Sequence, residues 1–448
     1  MAAVALASSP LPQKLRVGIF ADSALQPRWI VEAFMKAAAS GHAEIVALEL
    51  AGAQPGLPGW PWRAPRDELL DLGRYLEKAR GADLDVAFAL GGYDDFALDG
   101  IARLGVWRLH ADGAREVVEG APLTACSLRV RLAAGAEPRI AAQAWTRTER
   151  LSIARNRERV LARATGLAAR ALRDAQRYGR GWLEQCRAIA ERPQSIIRPS
   201  RAWLALARNH GASLVSALKY AEQGFIAHRP ADGPITPALE HFTRLPGSWR
   251  APFAAGKHIF FEDRGRIGVF GPGTEPVMLL DGTYPSVVED QGVRYLLSSD
   301  TRLYRCVEFP LQWEFQRQLV EFASYATLHR ASDRWWLFAT GEFEDQLNLF
   351  HAAKLTGPWI PHARNPVKSD ARGARPAGRL YWRNGALYRP ALLSAPREAM
   401  GVALQRVLRL TPHEYAERQV ETIPGVRAVN YCAELTVVDA FTRRLRFA

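Results

Sequence analysis

Along the last two-fifths of the chain, short apolar-aromatic runs alternate with polar turns, at 258–261, 295–298, 302–305, 335–338, 347–352, 379–381 and 387–389. Most runs are bounded by Gly, Pro, Asp or Asn. Strands this short, regularly spaced and without crossover helices, are the pattern of a β-propeller or a β-sandwich. The repeated aromatic-plus-turn unit favours the propeller, whose blades converge on a central pocket.

The first hundred residues follow a different rhythm. Strand-like runs at 15–20, 44–50, 85–90 and 105–109 alternate with helix-like stretches from Pro27 to about residue 40, at 66–79 and at 95–104. Such alternation predicts a parallel sheet in a Rossmann-like α/β domain. The turn after the first strand reads Ala21-Asp22-Ser23 rather than a glycine-rich phosphate loop, which excludes dinucleotide binding of the usual kind. Segments 123–132 and 139–146 read as a hairpin, and 149–190 as charged helix. Segment 195–249, with Pro230, Pro234, Pro237 and Pro246, reads as a connector, and 396–408 as a helical insertion in the β-rich part. The expected division is therefore an α/β domain at 1–148, a helical connector at 149–249 and a β-propeller at 250–448.

A chain of 448 residues with 48% hydrophobic content can bury large cores. Charges interrupt every apolar run before bilayer length, so no stable membrane insertion is expected. The small apolar start lacks a basic leader and reads as a short tail, which places the protein in the cytoplasm. Cys126, Cys186, Cys306 and Cys432 stand apart, a pattern of free thiols with no zinc or dithiol motif. No metal or cofactor is implied. The net charge of +13 comes almost entirely from arginine. It fits either a solvated basic surface or an anionic small-molecule partner such as a sugar phosphate, nucleotide-sugar or acidic glycan. The dispersed charge and the lack of any recognition motif exclude nucleic acid as the expected partner.

Several motifs carry a resemblance. Residues 302–313 (RLYRCVEFPLQW), 334–338 (RWWLF), 355–365 (LTGPWIPHARN) and 374–389 (ARPAGRLYWRNGALYR) occur in the order found in glucosamine inositolphosphorylceramide transferase N-terminal domains. Those resemble the five-bladed glycosidases of the arabinanase and fructosidase type. The resemblance runs from residue 250 to about residue 420. In the N-terminal half, 15–23 (LRVGIFADS), 104–110 (LGVWRLH) and 152–157 (SIARNR) resemble bacterial formyltransferase-like domains. That likeness implies folate-dependent formyl transfer by an Asn, a His and an Asp. Here Arg108-Leu109-His110 replaces Asn-x-His, and 132–144 has no Asp, so only His110 remains as a catalytic or a structural residue.

The propeller also departs from its relatives. The resemblance implies carboxylates where this chain has Ala251 (in Arg250-Ala251-Pro252-Phe253), Tyr325 (in Tyr325-Ala326-Thr327) and Ser298-Ser299-Asp300. Hydrolysis needs two acidic groups across the glycosidic bond, which disfavours it here. Glu262 and Asp300 remain as catalytic candidates. Tyr284, Arg375 and Arg389 are the substrate-binding candidates, the two arginines forking onto a phosphate or carboxylate. Trp335, Trp336, Trp359 and Trp382 either stack on sugars or pack between blades. Three functions stay open. The first is an enzyme of glycan, glycolipid or related small-molecule biosynthesis with an anionic sugar-like substrate and pathway enzymes as partners. The second is a non-catalytic carbohydrate-binding or scaffold protein. The third is a repurposed enzyme of a specialised-metabolite pathway.

Overall fold

The computed structural model describes residues 13–445 except 51–62, 75–82, 95, 191–197, 231–241, 246, 398 and 433. The chain divides into two units, Met1–Gly211 and Ala212–Ala448.

The first unit is built on a mixed six-stranded sheet. Its strands are β1 (Leu15–Ala21), β2 (Ala43–Leu50), β3 (Val86–Leu90), β4 (Val106–His110), β5 (Leu123–Arg131) and β6 (Arg139–Arg147). They run in the order β2-β1-β3-β4-β5-β6. The first four pair in parallel, whereas β4, β5 and β6 pair antiparallel. Every residue of β3 is buried, as expected for a strand covered on both faces. Helix α1 (Arg28–Ala39) covers one face, with Phe34 edge-on to Phe88 at 4.9 Å. Helices α2 (Ala114–Glu119), α3 (Ile153–Ala164), α4 (Leu167–Gln185) and α5 (Pro199–Lys219) follow. The fully buried Asn156 of α3 donates to the Gly113 carbonyl and Thr124 Oγ1.

Two expected helices are corrected. In place of one at 66–79, the chain makes single 3-10 turns at Pro65–Asp67 and Leu72–Arg74 around a three-residue strand, Leu69–Asp71; residues 75–79 lie outside the described set. At 95–104 only Phe96–Leu98 is helical, because Gly100 takes a positive φ of 80° that ends the turn.

The second unit is a ring of five sheets. Blade one comprises Arg250–Ala255, His258–Asp263, Arg266–Phe270 and Val277–Asp281. Blade two comprises Ser286–Asp290, Val293–Leu297, Arg302–Glu308 and Gln312–Gln318. Blade three is Ser324–Ala331, Arg334–Thr340, Gln346–Ala352 and Ile360–Pro361, with Lys368–Ser369 beside its third strand. Blade four is Tyr381–Arg383, Ala386–Leu393, Gly401–Leu410 and Tyr415–Pro424. The fifth blade joins Val426–Tyr431 and Leu435–Leu445 to Tyr220–Pro230 and Thr243–Arg244. The expected insertion at 396–408 is therefore largely strand, Gly401–Leu410, and part of the expected connector is strand Tyr220–Pro230.

Side-chain alternation explains the ring. Successive residues of a strand point to opposite faces, so each blade shows one apolar face to each neighbour. Trp335 packs with Leu297 and Leu303 of blade two, while the adjacent Trp336 packs with Leu380 and Leu387 on the blade-four side. Five buried clusters fill the five interfaces: Phe253 to Leu296, Leu297 to Leu355, Trp336 to Leu387, Leu392 to Val438, and Ile226 to Phe261.

Candidate functional site

Three blades open their inner strands in the same way. Ala251, Tyr284 and Tyr325 each hold a left-handed backbone, with φ of 44°, 53° and 52°. This conformation costs a residue with a Cβ about 1–2 kcal/mol. Each is followed by Pro or Ala and enters the ring at the same end of its blade. In blade four the equivalent stretch is Arg375-Pro376-Ala377-Gly378. Gly378 is required there, since a Cβ would lie 1.8 Å from the Val429 carbonyl oxygen of the next inner strand.

These positions bring a polar and aromatic group together. The Tyr284 and Tyr325 rings meet edge to face at 5.8 Å. The Arg375 guanidinium lies over the Tyr325 ring, 3.5 Å from its centre, and donates from Nη1 to Glu344 Oε2 at 3.0 Å. The Tyr325 hydroxyl also reaches Glu344, whose side chain is 60% exposed. Tyr284 donates its hydroxyl proton to the Pro376 carbonyl and its backbone N–H to Glu262 Oε2. Burial raises the Glu262 carboxyl against the backbone bond from Tyr284 and the charges of Arg250 and Arg375, which lower it. Burial also pushes the Tyr284 phenol up. Asp439, 4% exposed, accepts the Ala251 N–H at 3.1 Å. Burial raises its carboxyl to about 6, although that bond and Arg427 oppose the rise.

Below the mouth the axis is closed. Between Tyr284, Ser286, Thr327, Arg379 and Asn430 only about 10 Å³ is open, room for one water. Arg379 fills the core of the ring, donating to the Val287 carbonyl at 2.7 Å and lying 4.2 Å over Phe253. Burial lowers its pKa. It also takes His329 beside it down to about 4, aided by the Arg379 charge. A ligand at this mouth therefore sits on the ring rather than passing through it.

Of the sequence candidates, Glu262, Tyr284 and Arg375 belong to this group. Asp300 does not join it: its carboxylate is held within its own turn by Ser298 Oγ and by Arg302 at 3.0 Å. The expected fork of Arg375 and Arg389 does not form. Arg389 is fully buried and spends its guanidinium on Glu417, at 2.8 and 2.9 Å, and on the Gly373 and Ala374 carbonyls. His110 lies in the first unit at the end of β4. Burial, with Arg129 and Arg108 nearby, lowers its pKa to about 3, so it is neutral across the ordinary pH range. Arg108 is bound to the Gly91 and Tyr93 carbonyls. Of the tryptophans, Trp335 and Trp336 are buried and Trp359 packs against the same cluster as Trp335, whereas Trp382 is 62% exposed.

Tyr325 and Glu344 were not among the sequence candidates. The signal for Tyr325 was its alignment with Tyr284 and Ala251, each followed by Pro or Ala at an inner-strand start. Glu344, in an exposed loop, left no such signal. Among the described residues, no group of three His, Cys, Asp or Glu is placed to hold a metal ion, and no helix is long and apolar enough to cross a membrane.

Among solved structures, the chain resembles a family 43 glycoside hydrolase protein from Bacillus licheniformis, at 18% identity and TM-score 0.32 over 39% of this chain and 43% of that one. It also resembles the α-L-arabinanase of Cellvibrio cellulosa, at 13% identity and TM-score 0.29 over 38% and 77%. Glucosamine inositolphosphorylceramide transferase 1 of Oryza sativa subsp. japonica is 32% identical over 149 residues, 30% of this chain and 20% of that protein. The Arabidopsis thaliana protein of the same name is 25% identical over 152 residues, 31% of this chain and 20% of its own length. The chain thus spans about a fifth of the length of these curated relatives. Residues 281–427, from the end of blade one to the start of blade five, match the family described as glucosamine inositolphosphorylceramide transferase 1, N-terminal.

Proposed function

We propose that the propeller mouth binds an anionic sugar-like substrate and that the protein serves glycan or glycolipid assembly as a transferase-type enzyme. The observation that carries this reading is the Arg375 guanidinium 3.5 Å above the Tyr325 ring centre, with the exposed carboxylate of Glu344 as partner. Glu344 is 60% exposed against 16% for Arg375, so the carboxylate end of the pair is screened by solvent and a ligand phosphate or carboxylate can take its place. The aromatic pair Tyr284 and Tyr325 offers a wall for the apolar face of a sugar ring. The likeness of residues 281–427 to proteins named glucosamine inositolphosphorylceramide transferase 1 supports a sugar ligand and assembly rather than breakdown. Glu262, whose carboxyl burial pushes up, is the group available to give or take a proton there.

A carbohydrate-binding role without catalysis is the second reading. Ala251 and Tyr325, where the resemblance to five-bladed glycosidases implies carboxylates, favour it. For the first unit, our reading is a formyltransferase-type frame without formyl transfer. The parallel order β2-β1-β3-β4 with His110 closing β4 supports the frame, and the occupied Arg108 and neutral His110 argue against the transfer.

The test is a thermal-shift titration of the full chain with glucosamine 1-phosphate, glucuronate and neutral glucosides. Charged ligands should stabilise it, and Arg375→Ala should weaken them by about tenfold or more, the loss of one charge-assisted hydrogen bond. Equal stabilisation by neutral glucosides, with no effect of Arg375→Ala, refutes the reading.

A further inference from the structure

At the end of the ring away from Tyr284 and Tyr325, blades three and four part. Between the turns at 331–334 and 383–386 and the strand end at 406–412 lies a cleft of about 570 Å³, a size typical of small-ligand sites. Trp336, 2% exposed, belongs to its floor. Trp382 pairs in register with Leu387, which pairs with Val407, and all three line the cleft. Yet 62% of the Trp382 surface is open, unlike the buried Trp335 and Trp336. An indole left uncovered beside a cavity is a stacking plate waiting for a flat apolar face. Three arginines line the cleft against one carboxylate: Arg406, Arg409 and Arg334, the last held by the neighbouring Asp333 at 3.2 Å. Arg409 meets Glu414 at 2.9 Å in an exposed pair, weak enough to exchange partners.

We propose that this cleft is a second carbohydrate site, which takes an acidic oligosaccharide. A sugar ring lies on Trp382, and its neighbours' carboxylates or phosphates face the arginines. The aromatic surface is a single open plate rather than a slot between two rings, which suits an extended saccharide more than a nucleobase. The site does not depend on the mouth, and its position lets the ring hold an acidic chain while the mouth handles a different residue.

The test uses the full chain carrying Arg375→Ala, so that the mouth does not contribute, with tetragalacturonate, a neutral glucan tetramer and uridine diphosphate as probes in calorimetry. Tetragalacturonate should bind, and Trp382→Ala or Arg406→Glu should weaken it by about tenfold or more. Both side chains are exposed, and an unchanged melting temperature shows that the variants fold. Absence of tetragalacturonate binding, equal binding of the neutral tetramer, preference for uridine diphosphate, or an unchanged affinity in Trp382→Ala overturns the proposal.

Discussion

Arg389 gives the sharpest separation between a structural and a ligand-binding arginine. Its partner Glu417, 6% exposed, collects Arg389 Nε at 2.9 Å and Nη2 at 2.8 Å, Lys368 Nζ at 2.7 Å and the Tyr415 hydroxyl. Glu417→Gln keeps the shape but leaves a guanidinium buried without its carboxylate, a change that costs about 3–5 kcal/mol. In a unit of 237 residues (448 − 211), that corresponds to a fall of roughly 6–20 °C in melting temperature. Burial alone would raise the Glu417 carboxyl, but Arg389 and Lys368 hold it at about 2, below the 4.5 of an unfolded glutamate. A depressed carboxylate stabilises the fold fully above pH 4.5, and that contribution is lost as pH falls toward 2. Calorimetric melts of the full chain between pH 3 and 7 should show the acid-side loss in the wild type and a shallower one in Glu417→Gln. Arg389→Met combined with Glu417→Gln should cost less than the two changes added, because neither charge is then stranded. A Glu417→Gln melt within about 2 °C of wild type at pH 7 would refute the reasoning.

Asp439 should behave in the opposite sense. Its raised folded-state value means that stability falls as pH rises from 3.8 to about 6 and is level above that, so Asp439→Asn should melt higher than wild type at pH 7 and remove the slope. Lower stability of Asp439→Asn at pH 7 would contradict this. For His110, with a folded value near 3 against 6.5 unfolded, stability should fall as pH drops below 6.5, and His110→Gln should abolish that component. An activity profile with a His110-dependent inflection near neutrality would show that the ring titrates where the buried, arginine-flanked site forbids it.

The blades were legible because alternation within a strand leaves a local trace. Trp335-Trp336 carries two interfaces in two consecutive letters. Where the partner is distant or the period is broken, that trace fails. Gly401–Leu410 mimics a helix because its first five residues are all buried and register shifts at Leu404/Gln405 and Val407/Arg409 leave no alternation. Tyr220–Pro230 reads as connector because its partner begins at Leu435, 205 residues after Pro230 (435 − 230). At the mouth, Glu262, Tyr284 and Arg375 were legible as candidates, but the Tyr325 ring beneath Arg375 was not. The two arginines looked equivalent in sequence because nothing local says that Glu417 lies beside one of them.

The pairing of Tyr220–Pro230 with Leu435–Leu445 runs through eleven consecutive residue pairs. It therefore dictates an order of events during synthesis. Blades one to four can form their hairpins as they emerge, since each is assembled from neighbouring segments. The fifth cannot, and strand Tyr220–Pro230 must wait, paired only at Ala227 and His228 by Thr243–Arg244, until residue 445 has been made. For all that time it offers an open edge to any other strand. Chains delayed within the last blade should then be the ones that pair with each other rather than with themselves.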